Sequence, residues 1–252
     1  MKRESIKKYG IFLLAVAVLV AVDQWTKIYA EARLATPGLT DVELEVDEEH
    51  AGLTVEEFLG VKLRANSEEE VAEMAARHTV TYDGARLAAQ AEVAAGDRLR
   101  VLSREVVVIE DYWDFQYTRN PGAAFGLLAD ADESFREPFF NIVSLLAVIL
   151  ILGLLRGVPF RQQLMFWGLT LILAGALGNY IDRLAYGYVI DFVVWKYTDE
   201  YRWPTFNVAD VLICVGVGML VVEMIRETIH EMRHGKEEGE EKGEGEEGAA
   251  NA

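Results

Sequence analysis

Four long apolar runs alternate with polar and acidic stretches along the chain. The runs extend over about Tyr9–Ala30, Phe139–Leu155, Leu164–Ile181 and Asn207–Ile225. Each comes close to the roughly 20 residues that a helix needs to cross the hydrocarbon core of a bilayer. The pattern therefore predicts four membrane-spanning helices.

Basic residues border these runs in a way that indicates the orientation of the chain. They precede the first run and follow the second and the fourth: Lys2, Arg3, Lys7, Lys8, Arg156, Arg161, Arg226, Arg233 and Lys236. Because short basic loops stay in the cytoplasm, both termini are predicted to be cytoplasmic. The first run is not a cleaved signal peptide, since it is long and continues into Asp23–Lys27 without a small-x-small cleavage site.

The segment between the first two runs is acidic and has mixed periodicity. Strands are predicted at Val42–Val46, Leu99–Leu102 and Val106–Ile109, a turn at Tyr82–Gly84, and a helix from a capping box at Ser67 to about Arg77. We predict that residues 36–109 form an extracytoplasmic acidic α+β insert. The histidines in it, His50 and His78, are isolated and are assigned surface or structural roles.

Five parts are predicted along the chain. They are residues 1–35 with the first helix, the insert 36–109, an extracytoplasmic segment 110–138, helices two to four over 139–230 with a connection at 182–210, and an acidic tail 231–252. The aromatic stretch Tyr112–Tyr117 is typical of a membrane interface. Beyond Gly235 the tail contains Glu, Gly and Lys without large apolar residues, which predicts disorder.

Composition excludes several classes of function. The chain is 52% hydrophobic and 26% charged, with a net charge of -17, which is the opposite of the basic footprint of a nucleic-acid-binding protein. Cys214 is the sole cysteine, so an intramolecular disulfide is impossible, and we expect this residue to be a small buried hydrophobe. The pattern indicates no metal site and no cofactor.

Four aspartates fall at the same depth in this topology. Asp23 lies near the outer end of the first helix, Asp182 ends the third, Asp210 starts the fourth, and Asp191 lies in the connection between them. Acids at a membrane edge are costly, so they indicate chemistry or transport. Lys27, one helical turn from Asp23, and Arg183, beside Asp182, are candidate partners for two of them.

Asp191 and Asp210 have apolar neighbours and no adjacent basic residue. Two adjacent carboxylates of this kind would share one proton, as an aspartic protease requires. The alternative is that Asp210 or Asn207 only caps the fourth helix. Two interpretations of the loop that contains Asn120 and Gly122 also remain open. It is either a turn into the next helix or a loop whose small residues let the backbone approach a ligand.

At these positions the chain resembles the lipoprotein signal peptidase family, the bacterial aspartyl peptidases also called signal peptidase II. The resemblance lies in five blocks: Asp23–Lys27, Asn120–Gly126, Gly178-Asn179 with Asp182-Arg183, Val189–Phe192 and Phe206–Asp210. It implies a membrane all-α fold, a four-helix transmembrane bundle with a small extracytoplasmic β-cradle, to which this chain adds its α+β insertion. It also implies that segment 110–138 carries part of the cradle and a substrate loop.

The resemblance implies that Asp191 and Asp210 are the catalytic pair. Residues implied to bind substrate or support the pair are Asp23, Lys27, Asn120, Gly122, Asn179, Asp182, Arg183, Asn207 and Ala209. The implied reaction removes the signal peptide of a diacylglyceryl-modified prolipoprotein by cleavage before the lipidated cysteine. The expected setting is the bacterial inner membrane, with the site near its outer face, lipid as the surroundings, no cofactor, and a monomer. The insert is expected to elaborate the cradle without supplying catalytic groups.

Two rival hypotheses remain from the residues alone. One is a carboxylate-coupled transporter or channel, although the acids lie at one face and no internal repeat is visible. The other is a non-catalytic assembly factor that packs against partner helices through glycines. Those glycines are Gly175, Gly178, Gly216 and Gly218.

Overall fold

The computed structural model describes residues 2–250 except 36–40, 63, 66, 68, 70, 73–74, 76–77, 84, 104, 123–131 and 198–201. The helices are α1 (Lys2–Leu34), α2 (Val55–Lys62), α3 (Glu133–Gly157), α4 (Gln163–Tyr186) and α5 (Val208–Ala250). The strands are β1 (Val42–Glu45), β2 (His78–Tyr82), β3 (Ala85–Arg86), β4 (Arg98–Ser103), β5 (Val106–Ile109), β6 (Trp113–Asn120) and β7 (Val189–Trp195).

The four predicted membrane helices are confirmed. Stretches long and apolar enough to span a bilayer occupy Ile6–Leu34, Ser134–Gly157, Gln163–Tyr186 and Val208–His230. Many large apolar side chains on the outside of the bundle are exposed, among them Leu14. Such a surface is unfavourable in water and suits the hydrocarbon of a membrane.

Helix α4 lies at the centre of the bundle. Half of its apolar stretch is buried, against 22% or less in the other three helices. It packs on α5 through glycines, since a side-chain carbon added at Gly216 would lie 2.7 Å from the carbonyl oxygen of Gly168. Gly175 likewise faces the carbonyl oxygen of Ala209. Small residues thus let two helix backbones touch within one chain.

Between α1 and β5 the chain folds around its own apolar core. Strands β1 to β4 form an antiparallel sheet in the order β1-β4-β2-β3, and Leu44 faces Leu99 across the first pair. Alternate residues of β4, including Leu99 and Val101, are buried, as expected for a strand with one covered face. Phe58 of α2 closes this core and is fully buried.

Helix α2 was not predicted, although the sequence carries a signal for it. The Thr54 amide donates to the Glu57 carboxylate at 2.8 Å, and the Glu57 amide donates to the Thr54 hydroxyl at 3.3 Å. This is a capping box. The helix that was predicted, Ser67–Arg77, lies partly outside the described residues; of the remainder, positions 69, 71, 72 and 75 are helical.

A second sheet, in the order β5-β6-β7, connects the extramembrane part to the bundle. The predicted strand at Val106–Ile109 is confirmed as β5, but it pairs with β6 and does not join the sheet of the insert. The aromatic segment that was assigned to a membrane interface forms most of β6. Beyond a bulge, β6 pairs with β7 so that Thr118 faces Asp191 and Asn120 faces Val189.

The backbone of α5 is helical to Ala250. Glu and Lys favour a helix, whereas the five glycines between residues 235 and 248 disfavour one. The disorder that composition indicates for residues 231–252 stays a prediction.

Lys8 joins the start of α1 to the end of α3, and replacing it tests this connection between the helices. The buried ammonium of Lys8 donates to the carbonyl oxygens of Leu155 at 2.7 Å and Val158 at 2.6 Å, at the C-terminal end of α3. Lys8→Met should lower the free energy of unfolding in detergent by about 1.5–3 kcal/mol, because charge-assisted hydrogen bonds are lost. Lys7 is exposed, so Lys7→Met is the matched control. Equal unfolding midpoints for the two variants would contradict this role.

Candidate active site

The four aspartates predicted to share one depth meet at one end of the bundle. Asp23 comes from α1, Asp182 from α4, Asp191 from β7 and Asp210 from the first turn of α5. Asp23, Asp182 and Asp191 are each no more than 1% exposed, while Asp210 is partly exposed. Buried carboxylates require counter-charges or hydrogen-bond donors, and the structure supplies both.

A buried lysine forms ion pairs with two of the four. The Lys27 ammonium lies 3.0 Å from the Asp23 carboxylate and 2.9 Å from the Asp182 carboxylate, and it donates to Oδ1 of Asn179 at 2.9 Å. The predicted Asp23–Lys27 pair is confirmed. Arg183, the partner suggested for Asp182, interacts with it electrostatically, but the close ion-pair partner of Asp182 is Lys27 of α1. Neighbouring residues on a helix point about 100° apart.

The same two carboxylates hold backbone from two other elements. Oδ1 of Asp23 accepts the Ala209 amide at 2.8 Å, and Oδ2 of Asp182 accepts the Ile190 amide at 3.1 Å. Gln24, which was not singled out from the sequence, donates to Asp182 at 2.8 Å. These bonds tie α1 and α4 to the start of α5 and to β7. They set the positions from which Asp191 and Asp210 project.

Three asparagines hold the second pair of carboxylates. Asp191 accepts from Nδ2 of Asn207 at 2.6 Å and from Nδ2 of Asn120 at 2.9 Å. Asp210 accepts from Nδ2 of Asn179 at 2.8 Å and from the backbone amide of Asn207 at 3.1 Å. Each of the four carboxylate oxygens therefore receives one bond. A carboxylate oxygen has a second lone pair, so each can still bind water or a proton.

The helix-cap alternative for Asp210 describes part of its contacts. The Asp210 amide donates to Oδ1 of Asn207 at 3.0 Å, and the Asn207 amide donates back to Oδ2 of Asp210. This reciprocal pair is a capping box at the start of α5. Capping uses Oδ2 of Asp210, while Oδ1 accepts from Asn179. Asp210 can therefore cap the helix and also belong to a pair of carboxylates.

Arg183 lies beside this second pair. Its guanidinium interacts electrostatically with Asp210 and Asp191, packs over the ring of Phe140 at 5.3 Å, and makes a long contact of 3.4 Å to the Gly122 carbonyl oxygen. The prediction that no basic group is near Asp191 and Asp210 therefore needs correction. Neither aspartate has a basic neighbour in the sequence, but the fold places the Arg183 guanidinium near both.

The loop that begins at Asn120 is described only at its start. Oδ1 of Asn120 accepts the Gly122 amide at 3.1 Å, a local bond typical of an Asx turn. The remainder of the predicted close-approach loop, residues 123–126, lies outside the described residues. Asn120 thus stabilises the turn and contacts Asp191 with the same side chain.

Burial, and after it the charge of Asp210, raise the pKa of Asp191 to about 7, although the hydrogen bonds from Asn120 and Asn207 and the charge of Lys27 act in the opposite direction. Amides orient a carboxylate without neutralising it. Asp191 therefore retains a proton at pH values where an ordinary aspartate has lost it. Among the described residues, no group of His, Cys, Asp or Glu is arranged to hold a metal ion.

A glycine turn returns the chain to this site. Gly187 adopts φ +79 after α4, and its amide donates to the Arg183 carbonyl oxygen at 3.0 Å. Glycine adopts this left-handed conformation without strain. The chain consequently reverses into β7 within a few residues, which brings Asp191 next to the helix that carries Asp182.

Comparison with known proteins agrees with this arrangement. The family model described as signal peptidase (SPase) II matches residues 87–226, more than half of the chain. A lipoprotein signal peptidase from Anaeromyxobacter sp. (strain Fw109-5) is 36% identical over 224 residues, which cover 88% of this chain and 87% of the relative. The chain belongs to the signal peptidase II family. It is a peptidase, and its four apolar helices together with this family imply a protein of the bacterial inner membrane.

Some members of the signal peptidase II family are shorter than this chain. Lipoprotein signal peptidases from Geobacter sulfurreducens and Syntrophus aciditrophicus are 49% and 46% identical over 133 and 126 residues. These alignments cover 80% and 78% of the relatives but about half of this chain. A solved structure titled as a bacterial membrane enzyme has the same fold, with a TM-score of 0.52 and 21% identity over 87% of this chain and 90% of its own.

Gly178 provides a test of the buried ion pairs. A side-chain carbon at this position would collide with the carboxylate of Asp23. Gly178→Ala should displace Asp23 from Lys27 and from the Ala209 amide, lowering stability by about 1–3 kcal/mol and peptidase activity more than about tenfold.

The matched control is Gly218→Ala, because nothing lies within 4 Å of a carbon added there. This variant should be neutral or slightly stabilising, since alanine favours a helix over glycine. Thermal unfolding in detergent and turnover are the measurements. If Gly178→Ala matched Gly218→Ala in both, the tight fit around Asp23 would not matter.

Proposed function

We propose that this protein is an aspartyl endopeptidase that removes the signal peptide from diacylglyceryl-modified prolipoproteins, cleaving before the lipidated cysteine. Asp191 and Asp210 act as its catalytic pair. The observation that carries the proposal is their joint attachment to Asn207, which donates to both carboxylates. Membership of the signal peptidase II family supports the substrate class.

The two aspartates differ in a way that suggests distinct tasks. Asp191 is buried and has the raised pKa, so it holds the proton; Asp210 is partly exposed and lies near the cation of Arg183. In this mechanism Asp210 accepts a proton from the attacking water while Asp191 donates its proton to the scissile carbonyl oxygen. The resulting tetrahedral gem-diol collapses as Asp210 gives its proton to the leaving amine and one hydroxyl of the diol returns a proton to Asp191, so the two carboxyl groups again share one proton.

The surrounding residues have supporting functions in this proposal. Lys27, Asp23 and Asp182 fix the ends of the elements that carry the pair, and Asn179 connects them to Asp210. Precise placement of reacting groups contributes several kcal/mol to catalysis. Gly122 and Arg183, which contact each other, are proposed to contact the substrate.

Orientation and assembly complete the proposal. Both termini lie in the cytoplasm, because the basic residues border the opposite ends of the spans from the aspartates. The site then faces the outer surface of the inner membrane, where a lipid-anchored substrate can enter sideways from the bilayer. The sheet β5-β6-β7 serves as the cradle for the extended peptide. The protein works as a monomer without a cofactor.

Amide substitutions test the catalytic pair. Asp191→Asn and Asp210→Asn should each leave a folded protein whose turnover falls at least about 1000-fold, because neither a proton acceptor nor a proton donor can be replaced by an amide. The assay is release of signal peptide from a synthetic diacylglyceryl-prolipoprotein in detergent micelles.

Asp111→Asn is the control for these substitutions. Asp111 is exposed between β5 and β6 and adopts φ +66, a conformation that asparagine tolerates as well as aspartate. Its turnover should match the wild type. Wild-type turnover in either Asp191→Asn or Asp210→Asn would overturn the assignment of the pair.

The raised pKa of Asp191 predicts the alkaline limit of activity. Above a pH of about 7 Asp191 loses its proton and none remains for the carbonyl oxygen, so kcat should fall about tenfold per pH unit. Because the folded-state pKa exceeds the ordinary value of 3.8, ionisation of Asp191 also lowers stability progressively between these two pH values. A kcat that stayed constant to pH 9 would contradict the assignment of the proton to Asp191.

A further inference from the structure

The end of β6 that approaches Asp191 has two different neighbours. On one edge it pairs with β7 from Thr118 to Asn120. On the other edge β5 covers residues 113–115 of β6 and no later position. A strand edge with open amides and carbonyls needs partners. The four-stranded sheet of the insert supplies them.

Ser103, the last residue of β4, satisfies the backbone of Tyr117. The Tyr117 amide donates to the Ser103 hydroxyl at 2.8 Å, and this hydroxyl donates to the Tyr117 carbonyl oxygen at 3.3 Å. Both residues are fully buried. Tyr117 lies within the β6 bulge, where regular pairing with β7 is interrupted. The Ser103 hydroxyl thus makes the two backbone hydrogen bonds to Tyr117 that a neighbouring strand would otherwise make.

Asp41, just before β1, holds the next segment of the same edge. Its Oδ2 accepts the Arg119 amide at 2.7 Å, and its Oδ1 accepts two bonds from Arg100 of β4 at 2.9 and 2.7 Å. The Asp41 side chain is 4% exposed. Its amide is fixed as well, because it donates to the Val101 carbonyl oxygen at 2.6 Å. Asp41 is therefore a rigid part of the insert sheet.

Arg119 immediately precedes Asn120, whose side chain donates to Asp191 at 2.9 Å. A bulge redirects the side chains that follow it, so the direction of Asn120 depends on how the bulge and the Arg119 amide are held. We propose that Asp41 and Ser103 are positioning residues, through which the insert aims Asn120 at Asp191. This inference rests on the proposed catalytic pair. It gives the insert a defined task in catalysis without placing any of its groups against the substrate.

The groups that face Asp191 determine what a misplaced Asn120 would change. They are Asp210 on α5, Lys27 on α1, Asn207 before α5, Asn120 on β6 and Arg183 on α4. The Asn120 hydrogen bond lowers the pKa of Asp191. Weakening it should therefore shift the alkaline limit of kcat to higher pH. A general loss of insert stability would not produce this shift.

The experiment compares three variants of the full chain in detergent micelles with the diacylglyceryl-prolipoprotein substrate. Asp41→Gly removes both acceptors and still permits φ +58, which glycine adopts without strain. Asp41→Asn tolerates the same backbone and keeps one acceptor oxygen. Arg100→Ala removes the ion pair and leaves the bond to the Arg119 amide. We expect Asp41→Gly to reduce kcat about 10- to 100-fold, with KM nearly unchanged and the alkaline limit shifted upward.

Asp41→Asn and Arg100→Ala should both retain nearly the whole kcat and the wild-type pH limit. Ser103→Ala is a fourth variant that removes a different contact to β6. It should show the same loss of kcat and the same pH shift as Asp41→Gly. Thermal unfolding of each variant verifies that the protein measured is folded. If Asp41→Gly does not yield folded protein, the comparison of Ser103→Ala with the wild type carries the test.

Three results would overturn the positioning role: wild-type kcat and pH limit in Asp41→Gly or in folded Ser103→Ala, an equal loss in Asp41→Asn, or an equal loss in Arg100→Ala. Asp191→Asn is measured in parallel. If Asp191→Asn is inactive while Asp41→Gly behaves as wild type, the catalytic pair stands and the positioning role fails. If Asp191→Asn is active, the proposed function itself fails.

Discussion

The buried ammonium of Lys27 is the interaction on which this end of the molecule depends. Asp23 and Asp182 are almost completely removed from solvent, and without a cation between them both would be strongly destabilised or protonated. Ionised, they accept the amides of Ala209 and Ile190, and so they fix the start of α5 and the path of β7. Loss of one partner from such a buried pair costs about 3–5 kcal/mol. One charge on α1 thereby determines where three other elements meet.

The second pair of carboxylates is held by different chemistry. Lys27 and its two partners form close ion pairs, whereas Asp191 and Asp210 are bound by neutral amides of Asn120, Asn179 and Asn207. A close ion pair stabilises the charged form of a carboxylate. An amide fixes the direction of a carboxylate and carries no charge of its own. The site thus separates a pair of aspartates bound by a buried cation from a pair held mainly by neutral amides.

The apolar runs and the basic residues that flank them predicted which aspartates meet at one end of the bundle. Four spans put Asp23, Asp182 and Asp210 at one end because each lies near the end of its apolar run, and that meeting is observed. The partner of Asp182 could not be read in the same way, because Arg183 is adjacent in sequence while Lys27 is adjacent in space. Ser103 and Asp41 were also missed. Their bonds to β6 join residues that periodicity assigns to separate units, and no local pattern records such contacts. Helix α2 is different, since the Thr54–Glu57 capping box was present in the sequence.

The insert can be understood from the backbone that it covers. The amides of Tyr117 and Arg119 lie on a strand edge that β5 does not reach, and any chain that keeps this strand must supply acceptors for them. A relative without such a segment must satisfy them with water or with a different loop. Water molecules exchange and leave the strand free to shift, whereas Ser103 and Asp41 are anchored in a sheet with its own apolar core. Replacing solvent by fixed acceptors restricts the strand that carries Asn120, and that restriction extends to the orientation of Asp191.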